Sequence, residues 1–89
     1  MAWTLEFDAA ARRQLRKLPR SAGERILVGL EQVAALENPR QRGKALVGER
    51  TGYWRYRIGD YRVIAKIEDG RMVILVVAIG HRREIYRRA

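Results

Sequence analysis

The residues with most chemistry in this chain are arginines, and their spacing matters more than their number. In Tyr53-Trp54-Arg55-Tyr56-Arg57-Ile58-Gly59-Asp60-Tyr61-Arg62-Val63, apolar residues alternate with cations around a Gly-Asp pair. Period-two alternation on both sides of such a dipeptide marks a two-residue β-hairpin. That turn sets Ile58 opposite Tyr61, Arg57 opposite Arg62 and Tyr56 opposite Val63. Trp54, Tyr56, Ile58, Tyr61 and Val63 then share a core face, while Arg55, Arg57 and Arg62 share the other. Like charges directly opposite on a sheet are unfavourable by roughly 0.2–1 kcal/mol. A phosphate backbone held by the three guanidinium groups would offset that repulsion. A solvated face with arginine stems over apolar neighbours is the other reading.

A second group closes the sequence, His81-Arg82-Arg83-Glu84-Ile85-Tyr86-Arg87-Arg88. In a helix, Arg82 and Tyr86 are four apart and share a face, which the preceding strand would deliver beside the arginine hairpin. Cations with an exposed ring suit single-stranded RNA, whose phosphates need neutralising and whose bases stack. Tyr86 equally suits the edge of a core. Arg83, Arg87 and Arg88 read as a fringe, solvated or touching phosphate. His81 is the one side chain whose ordinary pKa lies near neutrality, so it is a candidate for proton transfer, although a lone histidine is more often structural. It has no second histidine and no cysteine beside it, so neither a metal site nor a cofactor is expected. No nucleotide-binding glycine loop or serine-nucleophile motif occurs.

The elements that must position these residues follow from periodicity. Trp3, Leu5 and Phe7 alternate as in a strand with one buried face. Asp8 can cap a helix carrying Ala11, Leu15 and Leu18, which Pro19 closes. Ser21 and Glu24 have capping-box spacing for a second helix, with a stripe through Ile26 or Leu27, Leu30, Val33 or Ala34, and Leu36. Asn38-Pro39 ends it, and Arg40 to Thr51 reads as a loop. Three strands follow, Tyr53–Ile58, Tyr61–Ile67 and Arg71–Ile79, the last two joined at Asp69-Gly70 as a second two-residue hairpin. The third is apolar on both faces, so it belongs inside the sheet; Gly80 ends it, and His81 to Arg88 forms a short helix. The expected fold class is α+β, β-α-α-β-β-β, with a helical hairpin on a four-stranded, mainly antiparallel sheet. Eighty-nine residues suffice for one domain, 1–89.

Charge says what that domain meets. The net charge is +9, with six basic and five acidic residues in 1–37 against thirteen and five in 38–89. A field confined to one half attracts a polyanion. Sixteen of the nineteen cations are arginine, which favours bidentate phosphate contact and stacking. A GC-rich genome would raise arginine everywhere without skewing it. Met1 to Glu6 lacks a signal-peptide pattern, and the longest apolar run, Met72–Ile79, is too short to span a bilayer. A soluble cytoplasmic protein without a membrane partner is expected.

Extended through Ile64, the hairpin stretch resembles the central signature of the RelE/ParE toxin superfamily. Ile79-Gly80-His81-Arg82-Arg83-Glu84-Ile85-Tyr86-Arg87 resembles the ending of its RelE branch, and the order of elements is similar over nearly the whole chain. The resemblance implies a toxin of a type II toxin–antitoxin pair, a metal-independent endoribonuclease that cuts mRNA in the ribosomal A site. It implies attack by a ribose 2′-OH to leave a 2′,3′-cyclic phosphate, and a RelB-like antitoxin as partner. The basic half suggests acidic segments in that antitoxin. By position, Arg55 and Arg57 match the two basic residues of the family's hairpin, Arg62 the arginine after the turn, Arg82 the arginine after the last strand, and Tyr86 the terminal tyrosine. The best-studied pattern has lysines at positions 55 and 57. Arginine, with a pKa above roughly 12, is a poor general base, so both are assigned to phosphate binding and transition-state charge. The base stays open among His81, Tyr86 as phenolate, and a ribosomal group. A ParE-type toxin acting on DNA gyrase shares the fold, and a non-catalytic nucleic-acid-binding module would use the same face.

Overall fold

Asp8 starts the helical part of the chain: its Oδ1 accepts from the Ala11 N–H at 2.8 Å, while its own N–H donates to Val76. In the computed structural model, which describes residues 2–81, it separates β1 (Thr4–Phe7) from α1 (Ala9–Lys17). Then come α2 (Arg20–Ala34), β2 (Lys44–Ala45), β3 (Trp54–Ile58), β4 (Tyr61–Glu68) and β5 (Val73–His81). One sheet holds the strands in the order β1-β5-β4-β3-β2, with β1 parallel to β5 and the other pairs antiparallel. The α+β class and the helices gathered on one sheet face are as expected.

The core lies between that face and the helices. Ala11 from α1 and Ile26, Leu30, Val33 and Ala34 from α2 meet Tyr56, Val63, Ala65, Ile74, Val76 and Ile79 from the sheet. Burial selects Ile26 from the α2 stripe and leaves Leu27 exposed. Trp3 closes one end, its indole Nε1 donating to the Glu37 carbonyl at 3.0 Å. As expected, β5 is interior, flanked by β1 and β4.

Four local expectations need correction. The second helix begins at Arg20 with Pro19 as N-cap and no side-chain cap; Ser21 lies inside it, and Glu24 instead accepts from Arg20 Nε at 3.2 Å. A proline has no N–H to satisfy, and its fixed φ already suits a helix entry. The loop after Pro39 contains β2, so the sheet has five strands. The β4–β5 connection is longer than two residues: Asp69–Arg71 makes a 3₁₀ turn and Met72 sits in the left-handed region at φ 52. Gly80 does not end β5, which continues to His81. The remainder of the expected terminal helix lies outside the described residues.

The segment before β3 is tied down at two points. Arg40 makes a bidentate pair with Asp69, at 2.8 and 2.9 Å, and this hydrogen-bonded cation holds the Asp69 carboxyl below its ordinary pKa. The Tyr56 hydroxyl donates to the Pro39 carbonyl at 2.8 Å inside the core. Burial pushes the Tyr56 phenol up to about 12, with Arg40 opposing weakly.

Tyr56→Phe should therefore cost about 1–2 kcal/mol near neutral pH, since a buried acceptor loses its donor. The folded pKa of Tyr56 exceeds the unfolded value of about 10, so its stabilisation is full below that pH and lost as pH rises toward the folded value. Urea unfolding near pH 7 and near pH 11 should show the gap between wild type and variant narrowing at the higher pH. An unchanged gap would contradict this role for the hydroxyl.

Candidate nucleic-acid interface

β3 and β4 pair as a two-residue turn demands: Ile58 with Tyr61, Arg57 with Arg62, Tyr56 with Val63. Gly59 has φ 59 while Asp60 keeps a negative φ, the pattern of a type II′ turn, whose twist matches that of the strands. Tyr56, Val63 and Ala65 enter the core. Alternation sends Arg55, Arg57, Arg62, Ile64 and Lys66 to the opposite face, away from the helices. Arg57 is exposed, and Arg55 and Arg62 are half-buried.

Two further cations join this face. Lys44 on β2 pairs directly across from Arg55. Gly43, at φ 78, makes that approach possible, because a Cβ there would stand 2.3 Å from the Arg55 carbonyl and 2.7 Å from Trp54 Nε1. The Trp54 indole also donates to the Arg42 carbonyl, at 2.6 Å. Lys66 lies two and four residues beyond Ile64 and Arg62 on the same side of β4. Period-two counting from Arg62 already finds Lys66 in the sequence. Lys44 carries no such signal, since a two-residue strand has no period.

Arg62 is the most constrained of the group. Its Nη1 is buried and has no hydrogen-bond partner among the described residues. Opposite it on β5 is Gly80, which has no side chain on that face. Ion pairs among the described residues engage Arg20, Arg40 and Arg71, and none engages Arg57 or Arg62. Arg71, held by Glu68 at 2.6 Å and Glu6 at 3.2 Å, neutralises the carboxylates at the far end of the open face. The face therefore has a paired end and a cationic end. A guanidinium nitrogen kept out of water with no acceptor among the described residues is costly alone and favours an arriving anion.

His81 is not brought to the three arginines. It pairs with Tyr61, a residue packed against the core cluster, and the two rings meet edge to face with centroids 6.0 Å apart. That places it on the helix side of the sheet. β5 reaches this point through a bulge: Ile64 pairs with Ala78 and Ala65 with Val76, leaving Val77 extra. The bulge lets Val76 and Ile79 both face the core, and the Gln14 Oε1 accepts from the Ile79 N–H at 2.7 Å. Arg82, Arg83, Tyr86, Arg87 and Arg88 lie outside the described residues. Among the described residues no three His, Cys, Asp or Glu side chains are grouped to hold a metal, and no helix is long and apolar enough to cross a membrane.

A helical pair on one face of a mainly antiparallel sheet, with arginines gathered on the other, is the architecture of one toxin class. Residues 5–86 match the family model described as the ParE toxin of the type II toxin–antitoxin system parDE. Toxin RelG of Mycobacterium tuberculosis is 35% identical over 99% of this chain and 100% of its own. The mRNA interferase toxin RelE of Escherichia coli is 33% identical over 100% of this chain and 95% of its own. A crystal structure of the toxin–antitoxin complex RelBE2 from M. tuberculosis superposes with a TM-score of 0.71 at 32% identity, covering 92% of this chain and 93% of that one. The chain belongs to the RelE/ParE toxin superfamily, on its RelE branch.

The buried, unpartnered Nη1 gives a test. Arg62→Met keeps the stem and removes the unsatisfied group, so thermal stability should hold or rise by about 1 kcal/mol, or roughly 4–8 °C in Tm. A fall of several degrees would make Arg62 a structural residue instead.

Proposed function

We propose that this toxin is a ribosome-dependent endoribonuclease that cleaves mRNA in the A site. The observation that carries the reading is Arg62, with one guanidinium nitrogen buried and unpartnered among the described residues, on the face shared with Arg55 and Arg57. A phosphate supplies that nitrogen with an acceptor that none of the described residues provides. Membership of the RelE branch and likeness to a relative named mRNA interferase also support it.

The reaction is a transesterification. The 2′-oxygen forms a bond to the adjacent phosphorus, the bond from phosphorus to the 5′-oxygen breaks, and a 2′,3′-cyclic phosphate and a 5′-hydroxyl result. The 2′-OH proton passes to a base, and the departing 5′-oxygen takes one up. Arg62 and Arg82 hold the scissile phosphate, while Arg55 and Arg57 stabilise the charge that builds on its oxygens. Tyr86 stacks on a base or orients the 2′-OH. The position of His81 beside Tyr61, across the sheet from Arg62, favours Tyr86 or a ribosomal group as the base. Arg83, Arg87 and Arg88 touch flanking phosphates. No metal or other cofactor enters the proposed reaction. The partner is a RelB-like antitoxin with acidic segments, as the M. tuberculosis relative occurs in a RelBE complex; the site of action is the cytoplasm.

The match to a ParE family model keeps one other reading in play, a toxin that inhibits DNA gyrase through a protein interface. Single-turnover cleavage on programmed ribosomes separates the two. Arg62→Ala and Arg82→Ala should each slow cleavage by roughly 10²–10³-fold. Arg57→Lys should retain more activity than Arg57→Ala, because the charge stays although the bidentate fork is lost. Arg71→Ala, at the paired end of the face, should cleave like wild type. Absence of cleavage by the wild type, with gyrase inhibited, would replace this function by the other.

A further inference from the structure

The open face of the sheet is not only cationic. Ile64 lies there, outside the core cluster, and is 1% exposed. With Tyr53, Val77 and Ala78 it lines a hollow of about 270 Å³, whose lining is part apolar and part polar. Tyr53 is half-buried and shares the side of the chain that carries Arg55 and Arg57. Its carbonyl accepts from the Leu46 N–H at 3.0 Å, so the residue is fixed to the segment following β2. The pairing of Trp54 with Ala65, carried one residue on, sets Tyr53 beside Lys66. The Val77 bulge supplies one wall.

We propose that this hollow is a nucleobase subsite and that Tyr53 is its stacking platform, one nucleotide step from the phosphate held at Arg55, Arg57 and Arg62. The proposal rests on the ribonuclease reading above and adds to it a residue that determines how the substrate strand is seated. Charge complementarity chooses the occupant. The hollow offers uncharged side chains and some polar edge, and Arg55 pairs with Ile64 at its floor while Lys66 stands at its side. A polyanion bearing flat apolar rings fits both features at once. An apolar protein segment would satisfy the hollow and leave the exposed Lys66 beside it unmatched. Size points the same way: small-molecule sites usually span roughly 300–1,000 Å³, and this one sits just below, suited to a single ring.

The test uses the full chain and ribosomes programmed with an mRNA that carries 2-aminopurine in the A-site codon and a 2′-O-methyl group that blocks attack. Wild type and Tyr53→Phe should quench the probe and bind alike. Tyr53→Leu, which keeps apolar bulk but has no ring face, should leave the probe bright and weaken binding about tenfold or more. The salt dependence of binding should be the same in all three, because no charge has been removed, whereas Arg57→Ala should make it shallower. If Tyr53→Leu quenches and binds like wild type while Arg57→Ala weakens binding, the subsite is refuted and the ribonuclease reading stands. If the wild type does not engage the mRNA, both are refuted. If Tyr53→Leu weakens only the complex with an antitoxin protein, the hollow is a protein-docking site and the proposal is wrong.

Discussion

Two residues, Gly59 and Asp60, join β3 to β4, and a turn that short permits one register. A slip of one position along β3 would send Tyr56 to the open face and bring Arg57 into the core. Burying that set of side chains therefore secures the register, and the register in turn forces Arg57 against Arg62. The repulsion across that pair is a small term, roughly 0.2–1 kcal/mol, beside the apolar burial on the other face. The sheet tolerates the like charges because they are a side effect of good core pairing. The backbone that carries the cations is thus set before an anion arrives, which lowers the ordering cost of binding it.

Much of this was legible in the chain because it depends on local rules. The Gly59-Asp60 turn, the alternation around it and the Asp8 cap each act within a few residues, and each appears in the structure where it was expected. The departures come from longer-range constraints. β2 exists because Gly43 allows Lys44 to approach Arg55, a contact that no periodicity announces. The Val77 bulge shifts the alternation of β5 by one residue and hides in a run that is apolar throughout. That shift carries Ile79 to the core face and His81, two residues on, to the same side as Tyr61. A histidine next to a run of arginines in sequence therefore stands across the sheet from Arg62. Ser21 shows the same limit at a helix end: its spacing to Glu24 is right, but Pro19 begins the helix earlier.

The two ends of the open face are built on different principles. At one, Arg71 is matched by Glu6 and Glu68, so charge is settled within the protein. At the other, Arg55, Arg57 and Arg62 gather with Lys44 across from Arg55, and a nitrogen of Arg62 is buried without an acceptor among the described residues. Exposed pairs like those of Arg71 contribute little to stability, so their main effect is to confine the positive field. Stability is given up at Arg62 and recovered in the core beneath it, a division common where a fold carries a site.

On the proposed function, the cationic end of this face receives an RNA phosphate. Arginine side-chain NMR resolves it directly, by following the Nε–Hε signals as a short uncleavable single-stranded RNA is added. Shifts are expected at Arg55, Arg57 and Arg62, with Arg40 and Arg71 unmoved in their ion pairs. Shifts confined to the helix-side cations Arg12, Arg13 and Arg16, with the hairpin arginines unchanged, would contradict it.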